Sequence, residues 1–221
     1  MKRRLGIIFT ACLCIFCLSI LSSATEVNPL YLAGTYFDQA NQTDLQKTNF
    51  IETDGVVAIY DGEEISQAAI EYQRNMNIMR DAETASTYQT NQDIINNIVK
   101  NMMLLEEAER QGLTATQEEI DEMMDNAYMA YEIPEGKAMI DAYCDGAGLT
   151  TDEYFSLLRE QIPDAIARQK LKDAIGMDYC EENGLTFTKV NPPAEMIEAQ
   201  ENYIDELFAE NKDKIIYFDY N

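Results

Sequence analysis

Residues 56–66 read VVAIYDGEEIS, and this stretch decides how the fold begins. Its first five residues are apolar and mostly β-branched, which is typical of a short buried strand. The Asp61-Gly62 pair that follows predicts a tight turn, because both residue types tolerate the left-handed backbone of hairpin turns. Ser66 can then cap a helix with its hydroxyl group. The stretch therefore predicts a strand, a turn and a helix that runs to about Arg80.

Beyond Arg80 the chain has the apolar spacing of five further helices. Their apolar side chains recur every three or four residues, as on one face of an α-helix. Thr116 and Thr150 are each followed three residues later by a glutamate, which is the pattern of a capping box at a helix start. Proline and glycine residues mark the helix ends. The predicted helices span residues 93–111, 116–133, 136–144, 150–182 and 194–211.

The end of the chain, residues 215–220, reads IIYFDY and predicts a strand. A single apolar strand is not stable alone, and the strand near residue 58 is its only obvious partner. We therefore expect a mainly α fold. It consists of a helical domain over residues 55–221, closed by a small β-sheet that pairs an N-terminal strand with a C-terminal strand.

The chain begins with the layout of a secretory signal peptide. Basic residues at positions 2–4 precede an uncharged run over residues 5–21, and the small Ala24 suits a cleavage site. Residues 1–24 are therefore predicted to be a signal peptide that is cut after Ala24. The alternative is an uncleaved anchor, a membrane tether through residues 5–21, because this run is near the length that spans a bilayer. Residues 25–54 show no sustained period and are expected to form an irregular lead-in.

The charge and composition exclude several function classes. The chain has 16 basic and 40 acidic residues, a net charge of −24. Removal of residues 1–24 takes away 3 basic residues and no acidic ones, so the exported chain carries 13 − 40 = −27. Such a charge repels nucleic acid and favours basic partners, cations or simple solubility. Histidine is absent, which removes the usual general base and zinc ligand. We expect neither catalytic nor metal-binding residues.

Two cysteines, Cys144 and Cys180, remain after residues 1–24 are removed. In an oxidising exterior they could form a disulfide, or they could be two buried free thiols. Sequence does not show whether their Cα atoms come close enough to pair, so both alternatives stay open.

Several segments, in order, resemble the N-terminal chaperone domain of the SurA/PrsA family of extracytoplasmic chaperones. The resemblance extends over roughly residues 56–221, and the segments that carry it are VAIYDGEEIS (57–66), LLEEAERQGL (104–113), TQEEID (116–121), GLTTDEY (148–154), LLREQI (157–162) and YIDEL (203–207). The resemblance implies that the protein binds unfolded or newly exported polypeptides outside the cytoplasm, with no cofactor and no nucleotide.

Many members of that family carry a parvulin-type prolyl isomerase domain between the long helix and the C-terminal return. Here only residues 185–192 lie between Gly184 and the last predicted helix, and the histidines typical of that catalytic centre are missing. The resemblance therefore implies a chaperone without isomerase activity, and we expect that the protein is not an enzyme.

Adaptable apolar side chains on the predicted helices are the candidates for contact with a client polypeptide. Two adjacent residues cannot both face one side of a helix, so one member of each methionine pair is expected to be exposed. The alternative is that these side chains fill the core. The candidate client-binding residues are Met102, Met103, Met123, Met124, Tyr128, Tyr131 and Tyr154.

These features lead to the hypothesis of an exported holdase that shields apolar segments of its clients without turnover. Its expected location is extracellular, at the cell surface or periplasmic. The alternative is a surface interaction or assembly module that keeps the fold but binds one specific protein partner.

Overall fold

The computed structural model describes residues 28–41, 55–80 and 90–218. In these ranges the chain is mainly helical, with one small antiparallel sheet, so the predicted fold class is confirmed. The elements are α1 Pro29–Asn41, β1 Val56–Tyr60, β2 Glu63–Ser66, α2 Gln67–Arg80, α3 Asn91–Arg110, α4 Gln117–Glu132, α5 Pro134–Ala147, α6 Thr151–Asn183, α7 Ala194–Asn211 and β3 Ile215–Tyr217.

The predicted strand and tight turn form, and a second strand that was not predicted, β2, completes a hairpin. Strands β1 and β2 pair antiparallel, and the turn between them has φ of 46° at Asp61 and 88° at Gly62. Positive φ at both central residues is the backbone that matches the twist of paired strands. The Ser66 hydroxyl then accepts a 3.1 Å hydrogen bond from the Ala69 amide at the start of α2. Helix α2 ends at Arg80, as expected.

The C-terminal strand closes the sheet in the order β2-β1-β3. Strand β3 pairs antiparallel with β1, with Ile216 opposite Ile59. The Phe218 amide extends this pairing with a 3.0 Å hydrogen bond to the Val57 carbonyl oxygen. The predicted pairing of N-terminal and C-terminal strands is therefore confirmed.

Helix starts and stops follow the predicted signals. Thr116 and Thr150 each form a complete capping box, at the starts of α4 and α6. Helix α6 continues through Pro163 and ends at Gly184, which has φ of 66°. Helix α5 is longer than expected because Pro134 occupies its first turn, where no amide partner is needed.

Four apolar clusters hold these elements together. The first joins the sheet to α2 and α3, and it contains Tyr60, Ile70 and Ile95, all at most 1% exposed. A second lies between α3 and α6 around Leu104 and Leu171. The third lies between α4 and α6, and the fourth joins α1, α2 and α5. Helices α3 and α6 therefore form the centre of the fold.

The prediction of an irregular lead-in is wrong for residues 29–41, which form α1. The Asn28 side chain accepts a 2.9 Å hydrogen bond from the Leu30 amide, and Leu30 is buried in the cluster with α2 and α5. A Cβ at Gly34 would overlap the backbone of α5, and one at Gly146 would overlap that of α1. Helix α1 forms because two glycines let it pack closely on α5, which local periodicity did not reveal.

The remaining N-terminal predictions fall on residues that are not described. The signal peptide over residues 1–24 and the rest of the lead-in lie outside the described ranges. Within those ranges, no helix is both long and apolar enough to cross a bilayer.

Cys144 and Cys180 do not form a disulfide bond with each other. Cys144 of α5 and Cys180 of α6 are both buried, and both are free thiols. Of the two alternatives that the sequence left open, the structure therefore has the pair of buried thiols.

Candidate polypeptide-binding surface

Helix α4 lies on the N-terminal half of α6 and turns a second face to solvent. Its inner residues Met124, Ala127 and Ala130 are buried, and Met124 and Ala127 meet Phe155 and Leu158 of α6. Their spacing of three residues places them on one side of the helix. The opposite side of α4 is left exposed.

Phe155 is the centre of a group of four aromatic rings, which we call the aromatic cluster: Tyr128, Tyr131, Tyr154 and Phe155. The centroid of the Phe155 ring lies 4.4 Å from that of Tyr128, 5.6 Å from that of Tyr131 and 5.3 Å from that of Tyr154. The last two pairs meet edge to face, a favourable arrangement for ring quadrupoles. Tyr128, Tyr131 and Tyr154, which were predicted to bind clients, therefore meet around Phe155, which was not among the predicted residues.

Hydrogen bonds hold one side of the aromatic cluster. The Lys137 ammonium group donates 2.7 Å and 2.8 Å hydrogen bonds to the Tyr131 hydroxyl and to Asp141. The Tyr131 hydroxyl in turn donates a 3.1 Å hydrogen bond to Asp141. The hydrogen bond from Lys137 lowers the pKa of Asp141, and hydrogen bonds from Lys137 to Asp141 and Tyr131 raise the pKa of Lys137. These bonds fix Tyr131 against Phe155.

The outer side of the cluster continues into exposed apolar side chains at the end of α4. Tyr128 is 46% exposed, Met129 58% and Ile133 47%, and we call these three residues the α4 patch. Met129 lies in the last turn of α4, and Ile133 is the residue that follows the end of that helix. Tyr128 rests on a buried ring while half of its own surface faces water. Such a surface can take up apolar groups from another chain.

The methionine candidates divide between two places. Met124 is 1% exposed, and Met123 is partly buried beside it at the aromatic cluster. Met102 and Met103 of α3 are 6% and 2% exposed, so the expectation that one of them faces solvent is wrong. Both lie in the core cluster of the sheet and α2.

Helix α3 explains why both of those methionines are covered. Its next two residues, Leu104 and Leu105, are buried in the second cluster, against α6. Neighbouring elements therefore cover α3 on two faces, so residues 100° apart around the helix can both be inside. A prediction from sequence periodicity assumes that each helix is buried on one face, so it does not detect a helix that is buried on two faces.

Three side chains of the surface were missed by the candidate set, namely Phe155, Met129 and Ile133. Phe155 could have been found, because it begins the stripe that continues at Leu158 and Ile162 with spacings of three and four residues. Met129 and Ile133 carry no such signal, since exposed apolar residues break the helical pattern.

Carboxylates around α4 fall into two groups. Glu119 is held by Lys170 at 2.7 Å and Asp121 by Arg159 at 2.9 Å, both cations coming from α6. The bond from Lys170, with the backbone bond at Thr116, lowers the pKa of Glu119 to about 2. The outward-facing carboxylates of α4 form no ion pair or hydrogen bond with any described residue, and they are Glu118, Glu122, Asp125 and Glu132.

The described residues offer no metal centre. Across residues 28–41, 55–80 and 90–218, no group of three or more Cys, Asp or Glu side chains is arranged to hold an ion. The features of this surface are therefore apolar contact and negative charge.

Comparison with known families gives a match to the SurA-like N-terminal domain over residues 7–172. The matched range ends inside α6, so α7 and β3 lie outside it, although the resemblance noted in the sequence continued to the end of the chain. The comparison detected no parvulin domain. Searches of curated proteins and of solved structures found no match. The matched domain is a chaperone-type, non-catalytic domain. The chain belongs to the SurA-like N-terminal domain family.

Proposed function

We propose that this protein is an exported holdase, which binds unfolded or newly exported polypeptides on the α4 patch and the aromatic cluster beneath it. Membership of a chaperone-type family supports the general function. The observation that supports the site is Tyr128, a half-exposed ring that packs at an angle of 37° against the buried ring of Phe155. Apolar segments of a client would bind to these side chains and would therefore not aggregate with one another.

The size of the patch suits transient binding. Burying the exposed halves of three large apolar side chains contributes roughly 2–4 kcal/mol. That amount alone corresponds to dissociation constants of about 1 mM or weaker. A client with several apolar segments would be held by repeated weak contacts and released as it folds. The flexible thioether of Met129 can adapt to side chains of different shape.

The proposal includes an extracytoplasmic location and no isomerase activity. Domains of this family are typical of extracytoplasmic or periplasmic chaperones, and basic residues followed by an uncharged run begin the chain. Only a short connection separates α6 from α7, and histidine is absent from the sequence. Both features favour binding without catalysis.

Aggregation of a chemically unfolded client, with and without the purified protein at stoichiometric ratios, tests the proposal. We expect the protein to suppress light scattering, and Tyr128→Ser with Met129→Ser to weaken that protection. Met177→Ser is the matched control, because Met177 is a 47% exposed methionine at the other end of α6. Circular dichroism spectra should be the same for all variants.

Absence of protection across several different clients would contradict the holdase. A single stoichiometric partner, recovered from cell-surface extract by the wild type and lost with Tyr128→Ser, would then favour the single-partner module. Equal loss of protection in the Met177→Ser control would instead refute the assignment to the α4 patch.

A further inference from the structure

Carboxylates bracket two residues of the α4 patch, Tyr128 and Met129. Asp125 precedes Tyr128 by three residues and Met129 by four, and Glu132 follows them by four and three. Side chains at these spacings are neighbours on a helix surface. All four residues are exposed. An apolar group that binds between Tyr128 and Met129 therefore has a negative charge on each side.

Within the described residues, no cation is paired with these two carboxylates. Glu119 and Asp121, earlier on the same helix, are each paired with a basic side chain of α6. Asp125 and Glu132 form no ion pair or hydrogen bond with any described residue. Within the described ranges, their charges remain available to a bound polypeptide.

We propose that the α4 patch selects client segments in which an aromatic or large aliphatic residue is flanked by lysine or arginine on both sides. This inference rests on the proposed function and names the class of client segment. Asp125 and Glu132 are seven residues apart, which is about 10 Å along a helix. In an extended segment, side chains four residues apart lie on the same face, separated by about 13 Å. A long basic side chain easily spans the difference, so the favoured pattern has basic residues two positions before and two positions after the apolar one.

The charge effect is moderate and local. An exposed ion pair changes affinity by about two- to fivefold. Two such pairs, set against two repulsive contacts for an acidic segment, give a preference of at least about tenfold for basic over acidic flanks. Salt reduces this preference, since the screening length falls to about 3 Å at 1 M ionic strength.

Binding of three labelled peptides to the purified complete chain tests the inference. Each peptide carries a central phenylalanine, and the residues two positions away on both sides are lysine, serine or glutamate. We expect the lysine peptide to bind at least about tenfold more tightly than the glutamate peptide at low salt, with the serine peptide between them. At about 1 M salt the three affinities should converge.

The double variant Asp125→Asn with Glu132→Gln locates the effect. We expect it to abolish the preference while the serine peptide binds as before. Glu181→Gln with Glu182→Gln is the matched control, because it removes two exposed carboxylates at the far end of α6. The control should keep the preference for the lysine peptide.

The outcomes separate this inference from the proposed function. A preference that survives in the Asp125 and Glu132 variant, or that falls equally in the control, overturns the charge selection. A serine peptide that binds, depends on Tyr128 and is not surpassed by the lysine peptide also overturns it, and leaves the holdase intact. Failure of all three peptides to bind, with no protection of unfolded clients, overturns both.

Discussion

Glu107 of α3 is a buried carboxylate whose removal should make stability less sensitive to acid. It is 8% exposed, and it accepts hydrogen bonds from Arg110 at 2.5 and 2.6 Å, from Gln111 at 2.6 Å and from the Tyr203 hydroxyl of α7 at 3.2 Å. The bond from Arg110 is the main cause that lowers the pKa of Glu107 from 4.5 to about 2. The ionised form is therefore more stable in the folded state than in the unfolded state.

The pKa difference sets the size of the effect. Lowering a pKa from 4.5 to about 2 corresponds to about 3 kcal/mol of folding free energy at neutral pH. Arg110 is 72% exposed, so solvent weakens its contribution, and we expect about 2 kcal/mol. Because the folded pKa is the lower one, this stabilisation is complete above the unfolded pKa and is lost as pH falls towards 2. Roughly 40% of it remains at pH 3.

Chemical denaturation of the wild type and of Glu107→Gln between pH 7 and pH 3 measures this contribution. The variant should be less stable by about 2 kcal/mol at pH 7, and the difference should shrink to less than half by pH 3. Glu118→Gln, which changes an exposed carboxylate of α4 that pairs with no described residue, is the control and should change stability little at either pH. A difference for Glu107→Gln that is constant with pH would refute the reasoning, because it would come from packing and not from ionisation.

Three further predictions follow from packing. Gly34→Ala should detach α1 and lower the free energy of unfolding by about 1–3 kcal/mol, because the added Cβ would overlap the Tyr143 carbonyl oxygen. Faster hydrogen exchange in α1 would show this detachment. Gly55→Ala is the control, because a Cβ at Gly55 would meet no atom within 4 Å. Leu171→Ala should lower the free energy of unfolding by about 2–5 kcal/mol, since Leu171 is 1% exposed between α3 and α6, and denaturant titration measures it. Burial raises the pKa of the Cys144 thiol to about 11. A thiol reagent at pH 8 should therefore label Cys144 only after the protein unfolds. Labelling of Cys144 in the native protein would contradict its burial.

Much of the fold was predictable because its signals are local. The capping boxes at Thr116 and Thr150 involve residues three positions apart, and both form as predicted. The turn at Asp61-Gly62 depends on two residues that tolerate positive φ. The pairing of β3 with β1 was also predictable, since the sequence offers hardly any other partner for an isolated apolar strand.

The candidate site was predictable in part. Tyr128, Tyr131 and Tyr154 were identified from residue type, and they do meet in one cluster. The ring between them, Phe155, was missed because spacing alone does not reveal which neighbouring helix a residue faces. Client binding by these residues stays a prediction.

The sequence by itself determined most of the helix starts and ends after residue 55, though not β2 or the full length of α5, since caps, turns and prolines act within a few residues of the chain. It also determined the negative charge and the absence of histidine. Only the tertiary structure decided which faces are covered. It buried both Met102 and Met103, let α1 pack on α5 through Gly34 and Gly146, and left Tyr128 half exposed on Phe155. The physical reason is that burial depends on contacts between elements far apart in the chain, and such contacts leave only weak traces in local spacing.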